Sequence, residues 1–173
     1  MALKFYIQNL MHQKELSVSD EVKVKEKIWD FRQQADKLLR EATKALADTT
    51  HTLALSSTNE GDLYYCGAAN LLDMLEFYDM ITTKNLLSVL DQFDFWWDLF
   101  ERGSFEAPFH VLFGEEIGGG NLVNCGLIYA RVTTPRLKAA IGVVGPTRLD
   151  FPHIIPVVSY FGHLLTDIAN EWH

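Results

Sequence analysis

Cysteine is scarce in this chain of 173 residues: only Cys66 and Cys125, far apart. They form no CxxC pair and no disulfide framework, which fits a reducing, cytoplasmic compartment. No stretch of eighteen uninterrupted apolar residues occurs, so no transmembrane helix is expected. The N-terminal "MALKFYIQNLMHQKEL" has too short an apolar run, and no clear small-residue cleavage site, for a signal peptide. Positive charge thins out along the chain. Basic and acidic residues nearly balance up to Thr50. From His51 onward only Lys84, Arg102, Arg131, Arg136, Lys138 and Arg148 face fifteen acids, and the net charge is −8. A phosphate backbone is repelled by such a surface, so these residues are a poor nucleic-acid binder by themselves. Catalytic signatures are missing as well. There is no GxSxG and no HExxH, and "IGGGN" is a hairpin loop followed by a strand, without the GK[ST] of a phosphate-binding loop. An enzyme is not expected.

What is present is apolar content, 48% of residues, enough for one compact domain with a real core. Residues 3–13 predict a short helix. One long helix is expected from about Ser19 to Asp48, with Ser19 or Asp20 as its N-cap. Val24, Ile28, Phe31, Ala35, Leu38, Ala42 and Ala45 recur at alternating spacings of four and three, a heptad seam. Such a seam either packs on the chain's own domain or pairs with a second copy. The candidate dimer surface is Ile28, Phe31, Ala35, Leu38 and Ala42, with Trp96 and Trp97 as exposed aromatic candidates.

Strands are expected at 51–57, 61–68, 109–116, 122–132 and 137–145. A helix is expected from Thr83 to Glu101, stopped by Gly103. A last helix runs from Asp150 to Trp172, with Ile154, Val158, Phe161, Leu165 and Ile168 on its buried side. In "LVNCGLIYARV" both alternations are apolar, which predicts a strand covered on both faces. The order of elements gives an α+β fold: an antiparallel sheet with packed helices, preceded by a long N-terminal helix. The organisation expected is 1–50 for the N-terminal linking and dimerisation helices and 51–173 for the sheet-bearing domain.

Polar chemistry gathers in "IGVVGPTRLDFPHIIPVV", Ile141 to Val158. Gly145 and Pro146 end a strand and force a turn. Asp150 falls where the last helix begins, where a carboxylate can accept from first-turn N–H groups; Pro152 suits that turn. Arg148 has Glu115 and Glu116 as expected partners. Two readings stay open for it: a structural clamp, or an anion site at the helix N-terminus. His110, Glu115, Glu116, Asp150 and His153 are the candidates for a polar site. Asp150 and His153 have metal-ligand spacing, but two ligands make no site, so neither metal nor cofactor is expected.

The same stretch closely resembles the C-terminal signature of HrcA, the bacterial heat-inducible transcription repressor family. "KFYIQNLM", "LLREATKALADTTHTLAL", "GAANLLDMLEFYDM" and "VLFGEEIGGGNLVNCGLIYARV" match further family segments in order. The motif residues are Gly114, Glu115, Glu116, Cys125, Gly145, Pro146, Thr147, Arg148 and Asp150. The resemblance implies a GAF-like domain in a homodimer that binds an inverted-repeat operator upstream of chaperone genes. Binding would go through a winged-helix domain, and the GroE chaperonin would keep the repressor active. The chain departs from the family pattern twice. No winged-helix segment precedes Lys4, so the chain is either a fragment or a form that lacks it. Only "SSTNEGDL" stands where the family carries an inserted domain that helps dimerisation. GAF-like folds often hold a ligand between sheet and helices, so a small-molecule-sensing module is the alternative expectation.

Overall fold

The computed structural model describes Phe5, Ile7 and residues 16–102, 107–118 and 122–172. Helix α1 spans Val18–Trp29 and α2 Ala35–Thr50. Strands β1 (Leu53–Thr58) and β2 (Leu63–Cys66) form a hairpin, followed by two 3-10 helices, Ala68–Asp73 and Leu75–Tyr78. Helices α3 (Met80–Val89) and α4 (Phe93–Phe100) lead to β3 (His110–Phe113) and a four-residue helical turn α5 (Glu115–Gly118). Strands β4 (Cys125–Thr133) and β5 (Lys138–Pro146) precede the final helix α6 (Phe151–Asn170). The five strands form one sheet in the order β2-β1-β5-β4-β3, with every pairing antiparallel. The fold is α+β, consistent with the GAF-like expectation.

Alternation along the strands divides the core in two. Ala54, Ile128, Ala130, Val132, Ile141 and Val143 pack with α1, α2 and α6. Leu53, Leu55, Cys125, Leu127, Tyr129 and Val144 pack with the 3-10 helices, α3 and α4. The two-faced pattern of β4 is thus satisfied by a helical layer on each side. The expected stripe of α6 is buried throughout: Ile154, Val158, Phe161, Leu165 and Ile168. Burial of each such side chain stabilises by about 1.5–3 kcal/mol. Gly162 lets α6 lie directly on β4, since a Cβ there would come within 2.7 Å of the Ala130 Cβ.

Three expectations are corrected. The long N-terminal helix is two helices, broken at residues 30–34 although no Gly or Pro lies there. Arg32 donates from Nη1 to the Trp29 carbonyl at 2.8 Å, and the Trp172 indole donates to the Arg32 carbonyl at 2.6 Å. These bonds serve backbone carbonyls that a broken helix leaves open. The N-cap of α1 is Ser17, whose Oγ accepts from the Asp20 N–H at 3.1 Å, and not Ser19 or Asp20. The helix expected from Thr83 to Glu101 is also broken, at residues 90–92. There the Trp96 indole donates to the Val89 carbonyl at 2.7 Å.

The seam residues are largely spent inside the chain. Ile28, Leu38, Ala42 and Trp96 are each 0% exposed, because the break turns α2 onto the sheet and Trp96 points into the second core. Phe31, Ala35 and Trp97 are half-buried. Trp96 is therefore no exposed aromatic candidate. Within the expected helix at 3–13, Phe5 and Ile7 are helical and the other positions lie outside the described residues, as do Gly103 and Gly119, Gly120 and Asn121 of the expected hairpin loop.

Candidate functional site

Strand register brings the motif segments to one end of the sheet. Cys125 pairs with Pro146 and Gly126 with Gly145 where β4 begins and β5 ends. Phe113, at the end of β3, pairs with Gly126. Leu53 at the start of β1 pairs with Val144, and Cys66 at the end of β2 with Ala54. The GEE turn, the cysteine, the GPTRLD loop and the entry to the 3-10 helices therefore share this end.

Each segment is pinned by backbone. Gly114, at φ 49°, donates its N–H to the Cys125 carbonyl at 2.9 Å, and Thr147 donates to the Asn124 carbonyl at 3.2 Å. Gly67 has φ 86°, and a Cβ there would fall 2.4 Å from the Thr52 carbonyl oxygen, so only glycine fits. Asn70 donates from Nδ2 to that same oxygen at 2.9 Å.

Arg148 pairs through Nε with Oε1 of Glu76, not with Glu115 or Glu116. Glu115 and Glu116 do not end a strand. They open the α5 turn, where the Phe113 N–H donates to Glu116 Oε1 at 3.3 Å. Glu76 comes from the second 3-10 helix, so the pair ties the "LEFYDM" segment to the loop before α6. The Arg148 side chain is 62% exposed and that of Glu76 25%. The guanidinium hydrogen bond holds the Glu76 carboxyl below its ordinary value, with partial burial opposing. Glu76 Oε2 is buried and has no hydrogen-bond partner.

Asp150 occupies the N-cap position of α6, but its carboxylate makes no capping bond. The reason is local. A cap accepts from the second or third N–H of the helix. The second residue is Pro152, which has no N–H, and the His153 N–H donates to the Asp150 main-chain carbonyl at 3.1 Å. The expected capping role of the Asp150 side chain is therefore corrected.

Burial pushes the Cys125 thiol up to about 11, so it stays protonated at neutral pH. Among the described residues no group of three His, Cys, Asp or Glu side chains could hold a metal ion. Tyr129 and Arg131 carry the other dense polar contacts. The Tyr129 hydroxyl donates to the Arg102 carbonyl at 2.7 Å and the Arg131 Nε donates to the Phe100 carbonyl at 2.5 Å. Both secure the end of α4 to β4. Glu76 was missed as the partner of Arg148, and Gly67 and Asn70 as the residues that close on the Thr52 carbonyl. The one available signal was their place in "GAANLLDMLEFYDM", where Glu76 is an acid in an apolar run. What the site can do chemically is clamp: it locks the outer helical layer to the root of α6.

A family model described as the HrcA protein C-terminal domain matches residues 3–155. The chain is 29% identical over 140 residues to the heat-inducible transcription repressor HrcA of Nitratidesulfovibrio vulgaris strain Hildenborough, covering 76% of this chain and 39% of that protein. To the repressor of the same name from Pelotomaculum thermopropionicum it is 30% identical over 113 residues, covering 65% and 32%. To that of Sinorhizobium fredii it is 32% identical over 126 residues, covering 68% and 35%. The chain thus spans a third to two fifths of the length of these relatives. A crystal structure of a hypothetical protein superposes with a TM-score of 0.65 at 11% identity, covering 96% of this chain and 84% of that one, which supports the fold alone.

Proposed function

This chain belongs to the HrcA C-terminal domain family, and from that premise we propose that it is the dimerising and regulatory part of a heat-inducible transcription repressor of chaperone genes. The single observation that carries the reading is the family match over residues 3–155. The operator would be an inverted repeat, read by a winged-helix domain of the full repressor in the cytoplasm. A two-fold operator calls for a two-fold protein, because half-site geometry mirrors protein symmetry. A GroE-type chaperonin is the proposed partner that keeps the repressor active. The acidic balance of these residues supports a division of labour in which they do not grip DNA. No catalytic role is proposed. No described helix is long and apolar enough to cross a membrane. For the sensing alternative, Trp96, Phe100 and Tyr129 take up most of the space between the sheet and α4 and leave a pocket of about 160 Å³ beside Trp97, Arg131 and Lys138, small for an organic effector.

The test is a fusion of this chain to a monomeric DNA-binding domain, assayed on a reporter carrying that domain's site as an inverted repeat. Repression is expected from the fusion and not from the DNA-binding domain alone. A soluble fusion that represses no better than the domain alone refutes the dimerising role. The isolated chain is expected not to retard operator duplex at physiological salt, and specific retardation would overturn the division of labour.

A further inference from the structure

With Ile28, Leu38, Ala42 and Trp96 committed to the core, exposed apolar surface is concentrated elsewhere. Of the eleven exposed large apolar side chains among the described residues, six lie between positions 72 and 87: Leu72, Leu75, Tyr78, Met80, Ile81 and Leu87. Met80 is 84% exposed and Ile81 72%. They project from the two 3-10 helices and α3. A groove of about 750 Å³ runs among them, with Phe77 at its floor and Thr83, Lys84 and Ser88 along its side. Large contiguous apolar patches are rare on monomers and mark interaction sites.

We infer that this surface is where a second copy of the chain docks, the 72–87 segments meeting about a two-fold axis. The inference rests on the dimerising role proposed above and assigns it a surface other than the heptad seam. Three observations favour a second copy as the occupant. The patch contains both a groove, with Met80 in its wall, and a protruding side chain beside it, Ile81, so one copy supplies what the other receives. That self-complementarity is what a two-fold interface requires. Charge agrees: Lys84 is the sole Lys or Arg between His51 and Glu101, and it lies in the groove wall, whereas Asp73 and Asp79 belong to the same segment. A two-fold copy can therefore set the Lys84 cation in the groove wall against an acid of the same segment. Area agrees as well. A stable interface removes about 800 Å² per partner around an apolar centre. Six large, open side chains supply such a centre.

Sedimentation velocity from about 1 to 200 micromolar, on the parent chain and on Ile81→Asp, Leu87→Asp and Val18→Asp, tests the assignment. Ile81 and Leu87 are exposed, so both variants are expected to melt like the parent, checked by circular dichroism. The parent is expected to be dimeric. Ile81→Asp and Leu87→Asp should each weaken self-association at least about tenfold. Val18→Asp, on the exposed face of α1, should leave it unchanged. A parent dimer that both Ile81→Asp and Leu87→Asp leave intact overturns this surface while leaving the dimerising role standing. A parent that remains monomeric at the highest concentration overturns the dimerising role and this inference together, and leaves the groove to a different partner.

Discussion

Helices α1, α2 and α6, of 12, 16 and 20 residues, cover one face of the sheet, whereas two short 3-10 helices and helices of ten and eight residues cover the other. A long helix can hold one apolar stripe against a sheet over many turns. A succession of short pieces changes direction every few residues, and apolar side chains that do not meet the sheet are left facing outward. The outcome is a long-helix face with its stripe buried and a short-helix face with Leu72, Leu75, Met80 and Ile81 open. The first layer serves stability. The second has surface to spare for a partner, and the Glu76–Arg148 pair secures it to the sheet end.

The sharpest way to break this comparison is to remove one large side chain from each layer. Phe161 is 0% exposed on α6, and Leu87 is 43% exposed on α3. Phe161→Ala should cost about 3–5 kcal/mol through lost transfer energy and the cavity left behind. Leu87→Ala should stay within about 0.5 kcal/mol in the monomer. Urea unfolding of both variants at low protein concentration measures the contrast. Equal costs would show that the outer patch is packed in solution and that the two layers do not differ in this way.

The helix breaks give the next effect. Trp96 holds the α3–α4 break by donating to the Val89 carbonyl, and its ring fills the second core. Trp96→Phe keeps most of the ring volume and removes the donor. The Val89 carbonyl keeps the Gln92 N–H at 3.1 Å, so the loss is that of one hydrogen bond, about 0.5–1.5 kcal/mol. The same substitution at Trp172 is expected to cost less, because Trp172 remains partly exposed and water can reach the freed Arg32 carbonyl. Thermal melts of the two variants rank them, and a cost at Trp172 equal to or above that at Trp96 would contradict burial as the deciding factor.

These two tryptophans also explain where sequence reading stopped. The strands, the buried stripe of α6 and the double-faced β4 were legible, because periodicity records which face is covered. The breaks at 30–34 and 90–92 were not, since neither contains Gly or Pro and each is held by an indole from farther along the chain. The heptad seam was read correctly as apolar, yet spacing does not say whether the partner is a second copy or the chain's own sheet. At the sheet end, the GPTRLD loop was legible as a turn before a helix. Its ionic partner was not, because Glu76 lies 72 positions from Arg148 and only the shared sheet end brings them together. Asp150 misled because its residue type suits a cap, while Pro152 two positions on removes the N–H that a cap would use.

The smallest expected effect tests whether the clamp is an ion pair in function as well as in geometry. Glu76→Gln keeps the shape and removes the charge. With Arg148 largely exposed, screening limits the pair to about 0.2–1 kcal/mol at neutral pH. The buried, unpartnered Oε2 argues for the lower part of that range. The pH dependence is more telling than the size. Arg148 lowers the folded-state value of the Glu76 carboxyl below its ordinary 4.5. A carboxylate lowered on folding stabilises fully above its unfolded value, and that stability is lost as pH falls through the folded value. The parent should therefore exceed Glu76→Gln by a constant margin at pH 6 and above. The margin should shrink on acidification below 4.5 and close once the folded carboxyl is protonated. Paired melts at neutral and acidic pH in low salt measure it, and high salt should narrow the neutral-pH margin. A margin that persists unchanged through strong acid would mean that Glu76 acts through shape alone and that charge plays no part in joining the outer layer to the root of α6.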